Sequence, residues 1–68
     1  MNRVTEKAES DIYHFRVEKD GKFLVAECIE IDGCRTQATS REELYINMAE
    51  VLSLVLDEPV DPDIIRII

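Results

Sequence analysis

The chain has 68 residues, which is enough for one small domain. Its net charge of −7 argues against direct binding to nucleic acid, because such binding needs cations that replace phosphate counterions. Two cysteines and one histidine are too few for a closed zinc site within the chain, and two glycines exclude a glycine-rich phosphate loop. No apolar run is long enough for a membrane span, and the N-terminus does not resemble a signal peptide.

These numbers also set expectations about location and assembly. Without an export signal, Cys28 and Cys34 are expected to be reduced thiols in a cytoplasmic protein. A domain of this size buries only about 60% of the surface that its unfolded chain exposes, so we expect help from homo-oligomerisation. The acidic charge suits a basic protein partner, although charge of this size also serves solubility alone.

The N-terminal half predicts a β-hairpin. Residues 1–10 lack periodicity and are interpreted as a flexible lead-in, whereas residues 11–68 are predicted to form one domain. Polar and apolar residues alternate from Ile12 to Glu18, which is typical of a half-buried strand. Asp20-Gly21 predicts a type I′ turn, and the return strand is expected from Phe23 to Ile29.

A two-residue Asp20-Gly21 loop fixes a register that separates two faces of the hairpin. The first face is uncharged and pairs Val17 with Leu24, Phe15 with Ala26, and Tyr13 with Cys28. In the same register His14 lies opposite Glu27. The second face mixes apolar and charged residues: Ile12, His14, Arg16, Glu18, Phe23, Val25, Glu27 and Ile29.

A third strand and one helix are predicted next. Cys34 to Ala38 follows a turn at Asp32-Gly33 and is predicted to be the strand. Ser40 and Glu43 fit a capping box, so the helix should run from about Arg41 to Asp57, before Pro59. Its apolar stripe is predicted to cover the uncharged face of the hairpin, and comprises Leu44, Tyr45, Met48, Val51, Leu52, Val55 and Leu56. Ile46 and Leu54 fall outside the stripe and are interpreted as incidental surface residues.

The C-terminal tail is rich in isoleucine. Its four isoleucines, Ile64, Ile65, Ile67 and Ile68, predict a strand that is buried on both faces and parallel to the first strand. The same residues are candidates for an oligomer contact, because four exposed isoleucines would favour aggregation. A disordered tail is the alternative.

The candidate chemical groups do not form a catalytic or metal site by their spacing. His14 opposite Glu27 could be an oriented general base, but no nucleophile is placed beside it. Cys28 and Cys34 are not spaced as Cys-x-x-Cys, and the acids are scattered. We therefore predict no catalytic residue, no metal and no cofactor.

Two segments, Lys22 to Glu27 and Ile29 to Leu44, resemble the HicB antitoxin family. The resemblance extends over about Tyr13 to Leu56. Residues at positions matching the family pattern are Gly33, Cys34, Thr36, Gln37 and Glu43, with Asn47 fitting the helix that follows. The chain departs from the pattern where Ile29 replaces proline, Ala38 replaces glycine, Ser40 replaces threonine and Leu44 replaces alanine.

The resemblance implies an α+β, partial RNase-H-like fold of order β-β-β-α-β: an antiparallel three-stranded sheet, one covering helix and a fourth C-terminal strand. It also implies a partner, a small basic HicA-type toxin that cleaves mRNA, which a type II antitoxin neutralises by stoichiometric binding. Many family members add a C-terminal DNA-binding domain. This sequence shows none, so no direct DNA binding is expected.

The predicted partner surface is either the mixed face of the hairpin or the outer face of the helix. On the mixed face the candidates are Ile12, His14, Arg16, Phe23, Val25, Glu27 and Ile29. The face that the partner leaves free is a candidate for homodimerisation. Two other hypotheses stay open: an orphan homo-oligomeric scaffold or ligand-binding module without a toxin, and a small hydrolase or nuclease that uses His14.

Overall fold

One four-stranded sheet and one helix make up the part of the chain that the computed structural model describes, residues 12–68. The predicted lead-in at residues 1–10 lies outside the described residues. In chain order the elements are β1 (Tyr13–Asp20), β2 (Phe23–Cys28), β3 (Arg35–Ala38), α1 (Arg41–Leu56), a 3₁₀ turn (Pro62–Ile64) and β4 (Ile65–Ile67). The α+β class and the β-β-β-α-β order are therefore as predicted.

The sheet has the strand order β3-β2-β1-β4. β1 pairs antiparallel with β2, β2 pairs antiparallel with β3, and β4 lies parallel to β1. A parallel neighbour must be reached by a crossover, and α1 supplies it. The prediction of a fourth, C-terminal strand parallel to the first is confirmed.

The register of the hairpin differs from the prediction. Asp20 pairs with Phe23, so Gly21 and Lys22 form the loop rather than Asp20 and Gly21. Gly21 has a φ of 61°, and among the described residues that are not glycine only Asp57 has a positive φ. Positive φ at the first loop residue alone is the pattern of a type II′ turn, which favours glycine there. The predicted type I′ turn was wrong in type and by one residue in position, and the predicted cross-strand pairs were wrong by two residues.

The division into two faces is nevertheless correct. A shift of two residues keeps every side chain on its original side of the sheet, because side chains alternate with a period of two. Phe15 now pairs with Cys28 and Val17 with Ala26. The core contains these residues and their helical partners: Phe15, Ala26, Cys28, Cys34, Ala38, Leu44, Met48, Leu52 and Ile65.

The helix begins and ends with hydrogen-bonded caps. The Ser40 hydroxyl oxygen accepts the Glu43 backbone N–H at 3.2 Å, as the predicted capping box requires. The Glu43 carboxylate reaches back one residue further than expected, to the backbone N–H of Thr39 at 3.3 Å. At the other end Asp57 adopts the left-handed conformation, with φ 59° and ψ 42°, and Glu58 N–H binds the Ser53 carbonyl at 3.2 Å. This is a Schellman ending that uses aspartate where glycine is usual.

Only part of the predicted helical stripe is buried. Leu44, Met48 and Leu52 are buried, whereas Tyr45 is 39% exposed and Val55 is 46% exposed. The helix packs against β3 and β2 and does not lie centrally over all four strands. Consequently Tyr45 and Val55, on the sides of the helix, are more exposed than they would be if the helix lay over the middle of the sheet.

Candidate functional site

The sheet face away from α1, called here the outer sheet face, holds the residues that the sequence predicts as a mixed surface. Strand pairing places Arg16 next to Glu27, and Glu27 next to Arg35 of β3. His14 lies beside Arg66 of β4. The predicted residues that share this face are Ile12, His14, Arg16, Phe23, Val25, Glu27 and Ile29. Ile12 is 36% exposed and Ile29 is 48% exposed, so the face combines apolar and charged surface.

The outer sheet face does not share the acidic character of the whole chain. Arg16, Arg35 and Arg66 lie on it, and all three are exposed. Glu27 lies between Arg16 and Arg35 in a row of opposite charges, which is favourable for neighbouring strands. Glu18 also lies on this face and is exposed, so its charged side chains nearly balance, and the acids that give the chain its net charge of −7 lie mainly elsewhere.

His14 contacts Glu30 rather than the predicted Glu27. Nδ1 of His14 lies 2.6 Å from Oε2 of Glu30, and the His14 backbone N–H donates to Oε1 at 2.8 Å. The register explains the correction: the His14 carbonyl accepts the Ile29 N–H, so the next residue, Glu30, folds back over the histidine. No pattern in the sequence predicts this contact, since Glu30 belongs to the loop after β2.

The same carboxylate also contacts a thiol. Cys28 Sγ donates to Oε1 of Glu30 at 3.6 Å. The backbone N–H of His14 lowers the pKa of Glu30, so this carboxyl stays charged at neutral pH. Burial raises the pKa of Cys28, and the nearby negative charge raises it further. A nucleophilic cysteine needs the opposite environment, one that favours the thiolate.

The outward side of α1, called here the acidic helix face, carries two exposed aliphatic side chains among acids. Leu54 is 80% exposed and Ile46 is 60% exposed. The exposed acids of this face are Glu42, Glu43, Glu50 and Asp57. More acids follow directly in the turn before β4: Glu58, Asp61 and Asp63. Arg41 instead points along the other side, where it lines a shallow groove with Tyr45, so it does not neutralise this face.

Side chains cover backbone carbonyls at both edges of the sheet. Asn47 of α1 donates to the Gln37 carbonyl of β3 at 3.0 Å. At the opposite edge the guanidinium of Arg66 donates to the carbonyls of Asp63 at 2.6 Å and Ile65 at 3.1 Å. In an edge strand, only every second residue hydrogen-bonds to the neighbouring strand. Gln37 and Ile65 are residues that lie between these, so their backbone carbonyls point away from the sheet. Covered edges are one way in which proteins avoid extending their sheets into other chains.

The four C-terminal isoleucines have different environments. Ile65 is 4% exposed and belongs to the core, while Ile64 and Ile67 pack against the core and are partly buried. Ile68 is 64% exposed. β4 is thus not buried on both faces as predicted, since Arg66 is exposed as well. Of the four residues predicted as an oligomer contact, Ile68 alone offers most of its side chain to another molecule.

A shallow apolar groove opens beside the helix, where α1 leaves the inner face of β1 and β4 incompletely covered. It is lined by Val17, Leu24, Leu44, Ile67, Tyr45 and Arg41. Its position follows from the off-centre packing of α1 on β3 and β2.

Between Ile12 and Ile68 no three side chains of the metal-binding types converge on one point, and no helix there has the length and apolarity to cross a membrane. Comparisons with protein-family models, with curated proteins and with solved structures found no match to this chain. The resemblance to the HicB family therefore stays a prediction from the residues themselves.

Proposed function

We propose that this chain is a HicB-like antitoxin module that neutralises a small basic HicA-type mRNA-cleaving toxin by stoichiometric binding in the cytoplasm. The proposal rests on the acidic helix face. There two exposed aliphatic residues, Ile46 and Leu54, lie among four exposed acids. A surface with apolar contacts inside a ring of one charge is suited to a partner of the opposite charge.

Charge favours the acidic helix face over the outer sheet face as the site of a basic partner. On the outer sheet face Glu18 and Glu27 largely balance the exposed arginines Arg16, Arg35 and Arg66, so this face offers a basic partner no net attraction. The acids of α1 and of the following turn would attract it from a distance and raise the rate of association. The sequence left both faces open, and the distribution of charge is the argument that separates them.

The outer sheet face is then the surface left for a second copy of the chain. Ile29 and Ile68, which are 48% and 64% exposed, supply apolar area there. The covered sheet edges favour association through a face over extension of the sheet. The order β-β-β-α-β with β4 parallel to β1 supports assigning the fold as partial RNase-H-like within this proposal.

Co-expression with a small basic HicA-type toxin tests the proposal. We expect the full chain to restore growth that the toxin arrests and to co-purify with it at a fixed ratio. In vitro, RNA cleavage by the purified toxin should fall in proportion to added chain and stop at that ratio. A chain that forms no complex and rescues no growth contradicts the proposal, and a stable homo-oligomer in that case supports the scaffold alternative.

Matched pairs of substitutions locate the contact. Ile46→Ser with Leu54→Ser removes apolar area from the acidic helix face, and both positions are exposed enough to leave the fold intact. We expect Kd for the toxin to rise at least about tenfold, which corresponds to about 1.4 kcal/mol. Ile29→Ser with Ile68→Ser is the control on the outer sheet face and should leave Kd unchanged while weakening self-association. The reverse pattern would assign the toxin to the sheet face.

A further inference from the structure

Cys28 and Cys34 face each other where β2 passes into the loop before β3. The Cys28 backbone N–H donates to the Cys34 carbonyl at 2.8 Å. The neighbouring pair, Glu27 and Arg35, are the last register partners of β2 and β3, so Cys28 and Cys34 lie directly beyond the end of this ladder, where the Cys34 N–H turns to the Ile31 carbonyl at 3.3 Å. Both side chains enter the core, where Cys28 is 4% exposed and Cys34 is fully buried. Both cysteines are free thiols.

The backbone spacing of such a pair suits a disulfide. Residues opposite each other in antiparallel strands have Cα atoms about 4.5 to 5.5 Å apart. Disulfides usually join Cα atoms between about 4.4 and 6.8 Å apart. Both side chains also belong to the same core cluster, and the neighbouring Cys28 contributes to raising the pKa of Cys34, as expected for two thiols that lie near each other.

We propose that Cys28 and Cys34 form a reversible intramolecular disulfide by exchange with a low-molecular-weight disulfide such as glutathione disulfide. One cysteine thiolate attacks the glutathione disulfide, which forms a mixed disulfide and releases one glutathione thiolate. The second cysteine thiolate attacks the protein sulfur of that mixed disulfide and releases the second glutathione. In sum, two protein thiols lose two electrons and two protons, and one glutathione disulfide becomes two glutathione molecules.

The burial of the two thiols predicts that their disulfide exchange is slow. Burial, with the neighbouring Cys28, raises the pKa of Cys34 to about 11, so little thiolate exists at neutral pH. Exchange therefore requires the loop between Cys28 and Cys34 to open from the core. Once closed, the disulfide is shielded by the same burial, and it removes the S–H that Cys28 donates to Glu30. Disulfide formation needs no partner protein, so its test does not depend on the proposed function.

Refolding in the presence of glutathione disulfide tests the proposal, since unfolding exposes both thiols. The reduced full-length chain is unfolded in urea and diluted into buffer with a redox pair of glutathione and its disulfide. Trypsin cleaves after Lys22 and Arg35, so both cysteines fall within the peptide Phe23 to Arg35. We expect the mass of this peptide to be lower than that of the reduced peptide by two hydrogen atoms, and to return to the reduced value after treatment with a reductant. A protease that cleaves after glutamate cuts this peptide after Glu27 and Glu30, and the fragments that carry Cys28 and Cys34 should stay joined until reduction.

The oxidised chain should keep the circular dichroism spectrum of the reduced chain. It should melt at a temperature higher by roughly 10 °C, because closing a short loop restricts the unfolded chain. Cys28→Ser and Cys34→Ser are matched controls, and each should accept only one glutathione. The proposal is overturned if the wild-type chain carries two glutathiones, links to a second copy, stays reduced, or loses its native spectrum or melts lower after oxidation.

Discussion

Glu30 binds His14 through both of its carboxylate oxygens. Oε2 lies 2.6 Å from Nδ1 of the imidazole, and Oε1 accepts the backbone N–H of the same residue at 2.8 Å. This contact ties the loop after β2 to the beginning of β1, at the end of the hairpin away from its turn. The other ring nitrogen of His14, Nε2, takes no part in this contact.

Removing the charge of Glu30 should destabilise the fold modestly. Glu30→Gln should lower the free energy of unfolding by about 1 kcal/mol at neutral pH, because a charge-assisted contact is lost but water partly screens it. Urea unfolding followed by circular dichroism measures the difference. Glu18→Gln is the control, since Glu18 is an exposed acid of β1 that lies opposite the uncharged Val25, and it should change stability by less than about 0.5 kcal/mol. Equal effects of the two substitutions would refute a specific role for Glu30.

The same contact predicts a loss of stability in acid. The His14 backbone N–H holds the pKa of Glu30 below its ordinary value of 4.5. Because the folded pKa is the lower one, the stabilisation is complete above pH 4.5 and is lost as the pH falls through the folded pKa. Urea titrations across this range should give a shallower pH dependence for Glu30→Gln than for the wild-type chain. Identical slopes would mean that other acids account for the dependence.

Alkaline pH should destabilise the reduced chain through Cys34. Burial raises the pKa of this thiol from 9.0 to about 11, so the unfolded chain releases the proton first. Stability from this group is therefore complete below pH 9 and falls as the pH rises toward 11. At about pH 10 the loss should be on the order of 1 kcal/mol. Unfolding measured under reducing conditions tests this, and Cys34→Ala, less stable overall, should lack this part of the slope.

The sequence predicts the faces of the sheet better than its contacts. Alternation assigns Phe15 and Cys28 to the core whatever the turn, because a two-residue shift preserves the faces. The partner of His14 depends on the turn type and on the path of the loop that carries Glu30, and neither follows from periodicity. The balance of charge on the outer sheet face required knowing that β3 and β4 bring Arg35 and Arg66 to it, beside Glu18 and Glu27.

The covered edges of the sheet predict resistance to aggregation. Arg66→Ala should free the Ile65 carbonyl at the outer edge of β4, and light scattering should show more self-association than for the wild-type chain. Asn47→Ala should act similarly at β3, where it frees the Gln37 carbonyl. Arg16→Ala is the control, because it removes an exposed arginine from the same face of the central strand β1 without uncovering an edge. If Arg16→Ala aggregates as much as Arg66→Ala, the loss of charge is the cause.

The end of α1 predicts a simple route to a more stable chain. Asp57 has a φ of 59°, which costs free energy for any residue with a Cβ atom, and its charge lies at the helix end that disfavours anions. Asp57→Gly should therefore be more stable than Asp57→Ala by about 1 kcal/mol, since both remove the charge but glycine alone relieves the backbone. Thermal unfolding of the two variants measures the difference. Equal melting temperatures would show that α1 ends without the left-handed residue in solution, because the advantage of glycine exists only in that conformation.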